Sequence, residues 1–158
     1  MLPLSFFQWC QGLAISQAFR QSVWLFAVTQ AIHLVAITTF MGAILIGDLR
    51  MLGWGPAGQS RAAVLRSAHR VLLWAGLAVL VTGVLQFTTN ALSYSRSAMF
   101  RDKMWLLAAT FVFTVTLRRW VALSEEERLP TWAPKVVGAL SAVLWLSVVV
   151  SGRLITYF

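Results

Sequence analysis

Residues 22–47 contain no Asp, Glu, Lys or Arg. A transmembrane helix needs about 20 mostly apolar residues to cross about 30 Å of hydrocarbon, and this run is long enough. Residues 71–90 are equally free of charge. Residues 104–120 are apolar from Met104 to Leu117 and flanked by Lys103 and Arg118, whose long stems let their charged heads reach water. Residues 136–157 carry one charge, Arg153. The sequence therefore predicts one transmembrane domain over 1–158, with helices at about 22–47, 71–90, 104–120 and 136–157. Short connections make successive helices antiparallel, so the expected fold is all-α: an integral membrane four-helix up-down bundle.

Composition closes the other routes. Charged residues make up 11% of the chain, against about 25% in soluble domains. A water-soluble monomer could not cover its surface with so few. Disordered chains are poor in aromatics, whereas this one has 8 Trp and 10 Phe. A lone cysteine, Cys10, excludes a disulfide scaffold. The formal charge of +8 would suggest nucleic acid in a soluble protein. Here the basic residues sit at the ends of apolar runs, where they meet lipid headgroups and set topology.

The first 21 residues mix apolar side chains with Ser and Gln and lack the basic start of a secretory signal. Phe6, Phe7, Trp9 and Leu13 can give a short helix one apolar face, so this stretch reads as an interfacial segment. A second small amphipathic segment is expected at about residues 60–70. The loops set the orientation. Arg50, Arg61, Arg66, Arg70, Arg118, Arg119, Arg128 and Lys135 fall on one side; Arg20, Arg96, Arg101, Lys103 and Arg153 fall on the other. The positive-inside rule then puts both termini outside.

Several marks recur together: Trp24, His33–Leu34, Gly42, Asp48–Leu49–Arg50 and Leu52–Gly53 along the first helix. Thr82–Gly83, Phe100–Arg101, Lys103, Gly152–Arg153 and Tyr157–Phe158 lie further along the chain. This pattern resembles an uncharacterised family of small bacterial four-helix integral membrane proteins and covers most of the chain. The resemblance implies a multi-pass protein of the bacterial inner membrane and carries no activity with it. The four-helix plan with an intramembrane His is also similar, in architecture, to b-type cytochromes and copper-resistance membrane proteins.

No Ser/His/Asp set, CxxC, phosphate-binding glycine loop or HExxH is present, so no catalytic residue is assigned. His33 is the leading candidate for chemistry. It falls near the middle of its span, where ionisable side chains are rare and face the interior or a cofactor. Three roles are open to it: polar contact between helices, axial ligand to haem, or a proton relay or quinone contact. Gln30 and Thr29 lie one turn earlier. His69 stands at the opposite end of the next span, so it cannot share an iron with His33. A second ligand would come from another chain or from a Met such as Met104, or be absent.

Arg153 and Lys103 are basic residues on the outer side of His33. They can snorkel to headgroups, or neutralise an anionic group such as the haem propionates. Thr82, Gln86 and Asn90 form a polar stripe at i, i+4 and i+8, suited to a pocket or to contacts between helices. Gly76 and Gly83 flatten one face for close packing. Asp48 is expected to pair with Arg50, Arg118 or Arg119. Cys10 is expected to be inert.

Two functions fit. One is a small membrane subunit that binds b-type haem or quinone for electron transport within a larger complex, with His33 as metal ligand and Arg153, Lys103, Gln30 and Gln86 around the cofactor. The other is a structural accessory subunit that packs against a larger membrane complex without a redox cofactor. The expected partners are membrane lipids and a larger complex or further copies of the chain.

Overall fold

A computed structural model of the protein describes residues 3–54, 60–125 and 128–154; the side chains of Arg153 and Leu154 are not described. Among the described residues eight α-helices run in chain order: α1 Leu4–Gly12, α2 Ala14–Gln21, α3 Val23–Met51, α4 Arg61–Thr89, α5 Ala91–Arg96, α6 Ala98–Phe113, α7 Arg119–Leu123 and α8 Trp132–Leu154. A π-helical turn, Thr114–Arg118, joins α6 to α7. Four stretches are long and apolar enough to cross a membrane: Val23–Met51, Arg61–Thr89, Ala98–Leu123 and Trp132–Gly152. No strand occurs among the described residues.

Burial is inverted relative to a soluble protein. Val23 is 84% exposed, Trp24 81%, Trp74 72% and Trp105 73%, while Ser16, Thr110 and Ser141 are fully enclosed. Exposed apolar and enclosed polar side chains are what hydrocarbon as the outer solvent selects. The chain is a multi-pass membrane protein.

Local chemistry sets the helix ends. The Ser22, Ser60 and Ser97 side chains accept hydrogen bonds from the backbone N–H of Leu25, Ala63 and Phe100 and so cap α3, α4 and α6. At the other end of α3, Gly53 adopts φ +92°. Its N–H donates to the Arg50 carbonyl and that of Trp54 to the Leu49 carbonyl. This is a Schellman closure, and its left-handed residue favours glycine. The Leu52–Gly53 pair in the sequence is therefore a helix stop.

The expected boundaries need correction. The second span starts at Arg61 rather than residue 71, so there is no separate amphipathic segment before it. Its first turns carry Arg61, Arg66, His69 and Arg70 as a continuous extension of the membrane helix. The third span starts at Ala98 and ends at Leu123, longer than 104–120 at both ends. The last helix starts at Trp132, and residues 155–158 lie outside the described part. At 1.5 Å per residue, α3 and α4 are each about 43 Å long. They therefore reach the headgroup level, which is how a membrane helix can hold charges in its terminal turns.

α3 packs along α4 on one side and against α8 on another, and α8 packs against α6. α4 meets the third span through α7 at one end of the bundle; α5 links the two at the other. Two apolar clusters fill the interior. Met41, Ile44, Trp145 and Val148 form one, and Met51, Val121, Ala122 and Val137 the other. The N-terminal segment forms the two short helices α1 and α2, folded over the Thr89 end of the bundle. Ser16 Oγ donates to the Thr88 carbonyl at 2.8 Å, and Cys10 is buried as a free thiol. Phe7 meets Phe87 edge-on, and Phe87, Tyr94 and Phe100 stack at 4.9–6.0 Å, tying α1, α4, α5 and α6 together. Trp9 remains 64% exposed, as suits a helix at the membrane surface.

Candidate functional site

His33 lies about 15 Å along α3 from Val23, near the middle of the hydrocarbon. Its Nδ1 is 2.7 Å from Thr82 Oγ1 on α4. Thr82 Oγ1 also lies 2.5 Å from the Ala78 carbonyl. A hydroxyl has one proton. The carbonyl can only accept it, so Thr82 donates to Ala78 and accepts from His33 Nδ1–H. With the ring neutral, as hydrocarbon favours, the proton sits on Nδ1 and the lone pair on Nε2. A hydrogen bond at one ring nitrogen sets the availability of the other in this way at metal-binding histidines.

Thr82 and Gly83 of α4 meet the ring directly, and further polar groups of the spanning helices lie around this level. α3 brings His33 and α4 brings Thr82 and Gln86. Gln86 Nε2 is buried and makes no hydrogen bond. α6 brings Lys103, half-buried and close enough to His33 to interact with it electrostatically. Lys103 has no hydrogen-bond or ion-pair partner among the described residues. α8 brings Gly152, where a Cβ would stand 3.0 Å from Lys103 Nζ. A Cβ at Gly83 would stand 3.4 Å from His33 Cε1. The two glycines thus make room for the imidazole and the ammonium. The result is one free imidazole nitrogen and two donors, Lys103 Nζ and Gln86 Nε2, without acceptors.

Other sequence candidates are placed differently. Gln30 is half-buried one turn before His33 and Thr29 is buried beside it. Asn90 has left α4 to stand at its C-cap, exposed, so the expected polar stripe ends at Gln86. His69 is exposed near the other end of α4, in keeping with the depth argument that separates it from His33. Met104 is 46% exposed on α6. Arg153 belongs to α8, but its side chain lies outside the described residues, so its expected contact with an anion is open. Asp102, one candidate for that contact, lies 3.9 Å from Arg101. Among the described residues no three His, Cys, Asp or Glu side chains gather as a metal site; His33 would be a single protein ligand.

A second polar centre lies at the opposite end. Arg118 Nε donates to Asp48 Oδ1 at 2.7 Å, with the side chains 2% and 1% exposed. Arg118 also donates to the Ile44 carbonyl at 3.0 Å. Of the three expected partners for Asp48, Arg118 is the one that meets it in this way. The π-turn explains the choice. In an uninterrupted α-helix Leu117, two turns after buried Thr110, would face the core, and Arg118 would sit about 80° around the helix. The extra residue in the turn rotates the remainder of the helix about its axis. Leu117 becomes 43% exposed and Arg118 is enclosed. Trp145 Nε1 donates to Thr114 Oγ1 at the start of this turn. Glycines again provide the space: a Cβ at Gly47 would stand 2.7 Å from Arg118, and one at Gly138 would stand 2.9 Å from the Asp48 carbonyl oxygen. Ser141 Oγ faces the Asp48 carboxylate, yet neither it nor Asp48 Oδ2 forms a hydrogen bond of good geometry.

The model of a family of unknown function, DUF6644, matches residues 6–158. No curated protein and no solved structure matches the chain.

Proposed function

The chain belongs to the DUF6644 family, which brings no activity with it, and from the chemistry around His33 we propose that it is a small electron-transfer subunit of the bacterial inner membrane that binds b-type haem. The observation that carries this reading is the His33–Thr82 pair, which engages Nδ1 and so turns Nε2 away from Thr82 as the nitrogen open to a ligand. The residues fit haem in kind: an imidazole for the iron, and Lys103 and Gln86 as unmatched donors for carboxylates. Arg153, at the same end of the bundle, would add a further cation.

Haem, when bound, supplies one-electron chemistry. The chain's own groups do the rest. Thr82 fixes the ring's tautomer and orientation. Lys103 offsets anionic charge that hydrocarbon would otherwise penalise. Gly152 leaves room for the Lys103 ammonium. His33 would be the chain's own ligand to the group, and any further ligand would come from another copy or a larger complex.

A quinone headgroup is the second reading. Gln86 Nε2 and Lys103 Nζ, the donors without acceptors, suit its carbonyl oxygens. Solvent extraction of the purified protein separates these readings: haem b near one per chain supports the first and bound quinone the second. Neither would leave the accessory-subunit reading. The basic-residue count also supports both termini lying outside. A reporter active only in the cytoplasm, fused after Phe158, should then be silent, and a strong signal would invert the orientation.

A further inference from the structure

The π-turn separates two adjacent arginines. Arg118 is enclosed against Asp48, while Arg119, about 100° further around the helix, is exposed. Arg119 has no ion-pair or hydrogen-bond partner among the described residues. The nearby carboxylate of Glu125 is already engaged with Arg128 at 2.7 Å. Arg119 lies about 6 Å from the end of α7 at Leu123, at the depth where a helix passes from hydrocarbon into headgroups.

Arg119 also lines a surface groove of about 350 Å³, together with Val115, Thr116, Trp120, Leu123 and Ser124. The groove is amphiphilic in a definite order. Val115 is 47% exposed and Leu123 43%, both apolar, and Trp120 is 60% exposed. Indole rings favour the headgroup boundary. The hydroxyls of Thr116 and Ser124 already donate to the carbonyls of Val112 and Trp120, which leaves Arg119 and the Trp120 indole N–H as the groove's side-chain donors, Arg119 alone carrying charge. At the rim, Arg61 reaches across from α4 to the Ser124 carbonyl at 3.5 Å.

We propose that this groove is a binding site for one anionic glycerophospholipid, with the phosphate on the Arg119 guanidinium and the acyl chains running along Val115 toward the hydrocarbon. Charge and apolarity together choose the ligand. A free phosphate would leave the apolar wall uncovered, and a zwitterionic lipid brings its own cation beside Arg119. Arginine forks match phosphate oxygens bidentately. The site is independent of the His33 cluster and survives if that cluster holds no cofactor.

Native mass spectrometry of the full chain in detergent, titrated with phosphatidylglycerol or phosphatidylcholine of identical acyl chains, tests it. One phosphatidylglycerol should bind about fivefold more tightly than phosphatidylcholine, the scale of one basic residue at an anionic surface. Arg119→Gln should remove that preference with the helical content unchanged. Arg70→Gln, a change to an exposed arginine elsewhere on α4, should keep it. Inorganic phosphate should not compete. Equal binding of the two lipids, a preference that persists in Arg119→Gln, one lost in Arg70→Gln, or displacement by inorganic phosphate would each overturn the assignment.

Discussion

Replacing Arg118 with Met is expected to destabilise the bundle by about 3–5 kcal/mol, the cost of leaving the Asp48 charge enclosed without its partner. Arg118 and Asp48 are 2% and 1% exposed on their side chains, so water cannot take over, and Arg118 also satisfies the Ile44 carbonyl. Asp48→Leu alone should cost a similar amount by stranding the guanidinium. The double variant should recover much of the loss, because apolar replacements of similar volume at a buried pair are often neutral or better. Unfolding in mixed micelles of increasing SDS fraction, followed by far-ultraviolet circular dichroism, measures all three. Additive losses in the double variant would show that the two residues contribute separately.

His33→Ala should abolish haem binding while the four spans still insert. Thr82 holds the ring by one hydrogen bond, and such contacts between membrane helices average about 0.6 kcal/mol, with a maximum of about 1.7. The variant's stability should therefore fall much less than that of Arg118→Met, even as its haem content falls to background. Haem retained at the wild-type level would remove His33 as the ligand.

The spans were legible because apolar length is a one-dimensional property, and residues 22–47 display it without interruption. Where α4 begins was not, because Arg61, Arg66 and Arg70 break the apolar run while the backbone stays helical. The charges are tolerated there because the helix has passed into the headgroups. His33 stood out as an ionisable side chain at mid-span. Its tautomer depends on Thr82 and Ala78 of a different helix, and no sequence pattern carries that. The choice of Arg118 over Arg119 was likewise hidden. Helical periodicity sets Leu117 facing inward, and a single π-turn reverses the outcome. The signal that could have pointed to it was Asp48 itself, which needs an enclosed cation once Gly138 lets α8 close on α3 and Gly47 leaves room for the guanidinium. Lys103 and Gly152, far apart in the chain, are neighbours for the same reason that His33 and Thr82 are: antiparallel spans bring equal depths together.

The central claim is that His33 holds a b-type haem, and the reduced-minus-oxidised absorption spectrum of the purified protein tests it most directly. The wild type should show a Soret band that shifts on reduction with dithionite, and His33→Ala should lack it. A colourless wild-type protein, purified fully folded from haem-replete cells, would contradict it.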